Sequence, residues 1–233
     1  MVYILGINSF HSDASAAIIK NGEIIFAAEE ERFNRKKHWA GFPKQTINWC
    51  LKSAGITLKE VDHISINCDP KANFKRKILY SLLQRPNPIY LLQRIKNKQR
   101  RLNLESQFKE SFSETFKGSF HFIEHHKCHL ASAFYCSPFE DSSIVSVDAF
   151  GDFASTSWGF GKGNNIKEYG KIYFPDSLGI FYTAITQFLG FPNFGDEYKV
   201  MGLAPYGNDV YKEQMSELIK FDKEGLFKLN QNY

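Results

Sequence analysis

Ile4-Leu5-Gly6-Ile7-Asn8-Ser9-Phe10-His11-Ser12-Asp13-Ala14-Ser15 and Ile144-Val145-Ser146-Val147-Asp148-Ala149-Phe150-Gly151-Asp152-Phe153-Ala154-Ser155 read as one unit written twice. At an offset of 140, Phe10 meets Phe150, Ala14 meets Ala154, Ser15 meets Ser155, and Asn8 falls on Asp148 at the same strand end. Such identities are few, and the matched order of elements carries more weight. The first unit reads as strand Tyr3 to Asn8, a polar turn at His11 to Asp13, and a small-residue strand Ala14 to Lys20. The tight turn Asn21-Gly22 and strand Glu23 to Ala28 complete it. The second reads as Ser143 to Asp148, Ala154 to Phe160, the turn Gly163-Asn164, and Ile166 to Tyr173. A three-stranded antiparallel meander that restarts after intervening strands and helices predicts two related α/β lobes. The first would span 1–140 and the second 141–233. In such an arrangement the turns between first and second strands face each other across a cleft. Backbone N–H groups at turns of this kind suit phosphate oxygens.

Between the meanders, Glu29 to Ala40 is a charged connector whose acids Glu29 to Glu31 read as structural or pocket-lining. Pro43 opens a helix to about Ala54 with Ile47 and Leu51 inward, and Val61 to Asn67 and Phe120 to Ile123 are strands. A basic helical insertion covers about 73–117. A helix runs from His125 to about Cys136 and stops before Ser137-Pro138. After the second meander Asp176 is a plausible N-cap for a helix to Leu189. A loop over 190–195 leads to a helix that opens at Asp196 and ends at Pro205-Tyr206-Gly207. Glu197 and Lys199 there read either as a functional acid and cation or as an ordinary charged helix start.

A chain of 233 residues, 43% hydrophobic and with 22 Phe, can fill a sizeable core. The net charge of +4 is too small to argue for nucleic acid. The basic residues cluster, though, at Lys71, Lys75, Arg76, Lys77, Arg85, Arg94, Lys96, Lys98, Arg100 and Arg101. That run reads first as a solvated helical surface and second as a surface for an anionic partner. No apolar run is long enough to span a membrane, and Met1-Val2-Tyr3 leads directly into a strand, so a cytoplasmic location is expected. The four cysteines form no CxxC and read as reduced thiols, with Cys128 a small core residue.

The candidate chemistry lies in His125-His126-Lys127-Cys128-His129 and in Asp148. Histidines four apart on a helix project from one face, one turn apart, which suits two nitrogen ligands on one metal. Asp148 closes the apolar run Ser143-Ile144-Val145-Ser146-Val147, where a strand end could bring its carboxylate to that metal. Two imidazoles and one carboxylate leave coordination positions open for chemistry.

With these residues in view, the chain resembles the NodU/CmcH family of O-carbamoyltransferases. The likeness is carried by Leu5-Gly6-Ile7-Asn8 through His11-Ser12-Asp13-Ala14-Ser15-Ala16-Ala17, by Ala28-Glu29-Glu30-Glu31-Arg32-Phe33 to Lys37-His38, and by Gly41-Phe42-Pro43. It continues in His125-His126 to His129, Ala131 to Phe134, Ser137-Pro138-Phe139 and Asp148. It ends in the long run Gly195-Asp196-Glu197-Tyr198-Lys199-Val200-Met201-Gly202-Leu203-Ala204-Pro205-Tyr206-Gly207.

The resemblance implies an actin/Hsp70/sugar-kinase-like (ribonuclease H-like) fold of duplicated lobes, akin to the tRNA threonylcarbamoyl-transferring proteins. It implies a carbamoyl-adenylate made from carbamoyl phosphate and ATP by a second, YrdC-like domain, with transfer to a hydroxyl of a sugar or natural-product acceptor. It implies iron or zinc on His125, His129 and Asp148, with His11 beside the acceptor hydroxyl, Asp13 close by, and Lys199 and Glu197 toward substrate or nucleotide. An imidazole can remove the hydroxyl proton, and a divalent ion can polarise a carbamoyl oxygen.

Two departures stand out. Ala149, Gly151 and Asp152 follow Asp148 where the family often shows Gly and then Gly-Glu. Members of the family are also usually more than twice as long. The chain is therefore expected to be a natural or engineered fragment with an incomplete second lobe, inactive alone. Exposed apolar surface around Ile180 to Leu189 is expected to drive self-association, a homodimer being the simplest form. The alternatives are a non-catalytic binding module derived from this fold and a tRNA threonylcarbamoyl-transfer relative.

Overall fold

A computed structural model describes residues 1–84, 103–224 and 226–230. The basic residues from Arg85 to Arg101, and the middle of the insertion expected over 73–117, lie outside the described residues. The chain divides into two compact units, Met1–Glu124 and His125–Tyr233, and both are mixed α/β. The division comes earlier than the boundary at 140 expected from the sequence. The helix that opens at His125 packs on the second sheet.

In the first unit β1 (Tyr3–Asn8), β2 (Ser15–Lys20) and β3 (Glu23–Glu29) form the expected antiparallel meander. Asn21 and Gly22, with φ of 50° and 92°, make the two-residue turn that matches strand twist. The connector carries a short helix α1 (Glu31–Asn34) and leads to α2 (Lys44–Ala54). β4 (His63–Ile66) then pairs parallel to β1, and β5 (Ser119–Phe122) parallel to β4, giving the order β3-β2-β1-β4-β5. Between β4 and β5 the described residues form α3 (Phe74–Gln84) and α4 (Leu104–Ser111).

Side chains alternate across a strand. Leu5, Ile7, Ala16, Ile18, Ile64 and Ile66 therefore share one face, against Ile47, Cys50 and Leu51 of α2 and Leu104 and Phe108 of α4. Each large side chain buried there contributes about 1.5–3 kcal/mol.

The second unit opens with α5 (His125–Tyr135) and continues with β6 (Asp141–Gly151), β7 (Ala154–Lys162) and β8 (Asn165–Tyr173), a second antiparallel meander in the order β6-β7-β8. Leu130 and Phe134 of α5 pack on Ile144, with Ile166 beside them. Then follow α6 (Leu178–Phe188), α7 (Glu197–Leu203), α8 (Lys212–Leu218) and the hairpin β9 (Ile219–Phe221) and β10 (Phe227–Leu229). No described helix is long and apolar enough to cross a membrane.

Two local expectations change. The N-cap of α6 is Ser177, whose hydroxyl accepts from the Ile180 N–H at 3.0 Å. The Asp176 carboxylate instead accepts from the Leu229 N–H at 2.9 Å. Cys128 is partly exposed and not a core residue, whereas Cys50 and Cys68 are buried.

Candidate metal centre

The helix α5 begins where the Asp152 carboxylate accepts from the His125 N–H at 3.0 Å, supplying an acceptor to a bare helical N-terminus. Asp152 and Phe153 hold φ of 48° and 78° in the turn between β6 and β7, and this turn brings the carboxylate back to the helix. Gly151 of the same turn lies under the His125 ring, where a Cβ would collide with the imidazole.

His126, fully buried, fixes the rotation of α5 about its axis. Its Nε2 lies 2.9 Å from the Ala154 carbonyl and its Nδ1 2.8 Å from the Ser146 hydroxyl. A carbonyl only accepts, so Nε2 carries the proton and Nδ1 accepts from the hydroxyl. The His125 and His129 rings lie next to that anchor, with centroids 5.7 and 5.9 Å from the His126 ring.

The expected triad comes together. His125 Nε2 is 3.0 Å from His129 Nε2 and 3.0 Å from Asp148 Oδ2, and His129 Nε2 is 3.7 Å from the same oxygen. Four ligands at about 2.0–2.1 Å from a tetrahedral ion sit about 3.3–3.4 Å apart, and cis ligands of an octahedral ion about 3.0 Å, so the triangle fits either. Among the described residues no other group of three or more His, Cys, Asp and Glu side chains has this closeness. The His129 side chain is 47% exposed, against 9% for His125, so the centre opens on the His129 side. Hydrogen bonds first from His125 and then from His129 hold the Asp148 carboxyl well below the ordinary carboxylate range. It is an anion ready to ligate.

Asp148 is itself braced. It lies where β6 bulges away from β7, between the pairs Val147–Thr156 and Gly151–Ala154. The Ser177 hydroxyl donates to the carbonyls of Asp148 and Ala149. Gly179 at the start of α6 packs on the same backbone with no room for a Cβ.

The other sequence candidates occupy two further places. In the first unit, Asn8 Nδ2 donates to the carbonyls of Ser12 and Asp13, and Asn67 donates to Asn8 Oδ1. The turn is tied to the next loop by Phe10 N–H to Gly41 O and Ala14 N–H to Trp39 O. Asp13 pairs with His38 Nδ1 at 2.9 Å, while His11 Nδ1 lies 3.4 Å from the Ser12 carbonyl. Phe10, Asp13 and His38 all have φ between 53° and 60°, sparsely populated for residues other than glycine. Sequence reasoning gave His38 no role of its own, because its partner is 25 residues away.

Glu197 and Lys199 lie on α7 and hold contacts there. Glu197 accepts from the Thr183 hydroxyl, and Lys199 pairs with Asp196 at 2.6 Å beside the Phe191 and Tyr198 rings. The pair raises the Lys199 ammonium pKa and lowers that of the Asp196 carboxyl.

Residues 3–233 match the family described as the carbamoyltransferase N-terminus. The chain belongs to that family. It is 39% identical over 242 residues to the uncharacterised protein sll1178 of Synechocystis, covering all of this chain and 39% of that one. It is 37% identical over 218 residues to the nodulation protein NolNO of Sinorhizobium fredii, covering 91% of this chain and 31% of that one. The chain thus spans under two fifths of the length of these relatives. Among solved structures it is similar to YeaZ from Pseudomonas aeruginosa, with a TM-score of 0.39 and 15% identity over 76% of this chain and 68% of that one.

Proposed function

We propose that this chain supplies the metal-binding and acceptor-side part of an enzyme that moves a carbamoyl group to a hydroxyl of a small sugar or natural-product acceptor. The donor in this reading is a carbamoyl-adenylate, made from carbamoyl phosphate and ATP by a YrdC-like domain outside this chain. The supporting observation is the triangle of His125, His129 and Asp148, with edges of 3.0, 3.0 and 3.7 Å, in a chain of a carbamoyltransferase family. Iron and zinc both suit this donor set.

When bound, the ion would supply positive charge to polarise the carbamoyl oxygen or offset phosphate charge. His125 and Asp148 hold their ligand atoms rigidly because Gly151, Ser177 and Gly179 pack around them. In the first unit, His11 with Nδ1 toward the Ser12 carbonyl favours the tautomer that is basic at Nε2, the atom that takes the acceptor's hydroxyl proton. Asp13, oriented by His38, accepts a hydrogen bond from the acceptor. Lys199 adds positive charge for an anionic substrate group, and Glu197 lines the same helix. The two meanders are, in this reading, the openings of two actin-like lobes.

Metal analysis of the purified chain tests the centre. About one iron or zinc per chain is expected, and none in a His125→Ala, His129→Ala variant. A metal content that the double substitution leaves unchanged would remove the centre from consideration. Transfer should be undetectable with the chain alone given carbamoyl phosphate, ATP and acceptor. Turnover by the chain alone would refute the assignment of donor synthesis to another domain.

A further inference from the structure

The first unit holds a pair of imidazoles in contact that belongs neither to the triad nor to the turn of His11 and Asp13. Nδ1 of His63, on β4, lies 3.0 Å from Nε2 of His121, on β5. The rings meet edge to face, with centroids 5.0 Å apart and an interplanar angle of 64°. The nitrogen–nitrogen distance equals that between His125 and His129.

Strand geometry sets this pair. In the parallel β4–β5 ladder His63 stands opposite Ser119 and Ser65 opposite His121, so the two histidines are diagonal neighbours. Alternation sends Ile64, Ile66, Phe120 and Phe122 to the core side and leaves His63, Ser65, Ser119 and His121 on the other face. Ile64 and Ile66 are no more than 1% exposed, so the strand that carries His63 is anchored from beneath. Among the described residues β5 ends the sheet order; His121 is exposed and His63 partly so.

A hydrogen-bonded pair and a pair of metal ligands differ here by the place of one proton. Neutral imidazole has one N–H and one lone pair, so the contact as it stands needs a proton on one of the two facing nitrogens. With that proton on the far nitrogen of the same ring, both facing nitrogens offer lone pairs to one point. Among the described residues neither ring has another hydrogen bond or ion pair, so no further partner fixes the tautomer. Cis nitrogens at about 2.0–2.1 Å from an ion stand about 2.8–3.0 Å apart, and the rings already hold that spacing.

We propose that His63 and His121 form a second, two-imidazole site for a late first-row divalent ion, copper(II), nickel or zinc, with water in the remaining positions. Magnesium and calcium take oxygen ligands. Imidazole suits zinc, copper and nickel, with copper(II) held most tightly. Binding leaves both rings neutral: the shared proton moves to the far nitrogen of its own ring, and each facing nitrogen displaces one water from the ion. Two ligands without a carboxylate hold an ion less tightly than the triad does. This site therefore empties during purification and fills in titration, and about one ion per purified chain remains the expectation for the triad.

Zinc titration of the whole chain tests the site. Calorimetry should resolve a tighter and a weaker class of binding. His121→Ala, a change at an exposed side chain, should weaken the second class about tenfold or more and leave the first. His63→Gln should do the same. Nitrogen-15 imidazole spectra give a readout at the rings themselves: the His63 and His121 signals should move together as the weaker class fills. A weaker class that His121→Ala leaves unchanged overturns the proposal, as do His63 and His121 signals that stay fixed at saturating zinc. The His125→Ala, His129→Ala variant should lose the tighter class and keep the weaker one, so the two centres stand or fall separately.

Discussion

Single residues here are set by partners far along the chain. Glu30 shows this most clearly. The acids Glu29 to Glu31 read as structural or pocket-lining, and Glu30 is structural: it is only 3% exposed. Its carboxylate accepts from the N–H groups of Gln45 and Thr46 and from the Thr46 hydroxyl, so it caps α2 from 15 residues away. In Glu30→Gln one accepting oxygen becomes a donor that faces other donors. The expected cost is about 1–3 kcal/mol, read as a lower denaturant midpoint at unchanged slope. Cys50 has no exposed surface, and burial pushes its thiol up to about 11. It should resist iodoacetamide near neutral pH until the chain unfolds, while exposed Cys136 is labelled readily. Peptide mapping of the alkylated chain distinguishes the two. The triad was legible because both of its signals are local: a four-residue spacing on a helix and a carboxylate closing an apolar run. The Asp13–His38 pair was not, since it depends on how one loop folds over another.

Elements were legible where periodicity and turn chemistry agreed. β1 begins and ends where alternation places it, because Leu5 and Ile7 share the buried face and Asn21-Gly22 closes the first hairpin. The same holds for α2, with Ile47 and Leu51 inward. The start of α6 shows the limit. Asp176 and Ser177 are both competent caps, and a tertiary contact decides between them: the Asp176 carboxylate is taken by the Leu229 N–H, which leaves the serine to cap. Ser177→Ala should cost about 1 kcal/mol for the cap alone. Since Ser177 also holds the carbonyls of Asp148 and Ala149, metal affinity should weaken as well. Isothermal titration with zinc reads that second effect; unaltered affinity would limit Ser177 to helix capping.

At the scale of the whole molecule, the two units are unequally endowed. The first has a core running from Leu5 to Phe108 between one face of its sheet and the helices, whereas the second has a buried cluster of Leu130, Phe134 and Ile144. Large apolar side chains such as Phe188, Phe194, Met201 and Tyr206 are 65% or more exposed in the second unit, which widens the apolar surface expected around Ile180 to Leu189. Urea should therefore unfold the chain in two steps, the second unit first. Trp158 reports that step and Trp39 and Trp49 the later one, so Trp158→Phe should erase the early change in fluorescence. An ion that binds only the folded second unit should move the early step upward, by about 2.7 kcal/mol at a hundred times its dissociation constant. The weaker half is also the half that carries His125, His129 and Asp148, the residues of the proposed centre. Where the ion is scarce, proteases would find that half open first, and the cellular level of the protein would track the supply of metal.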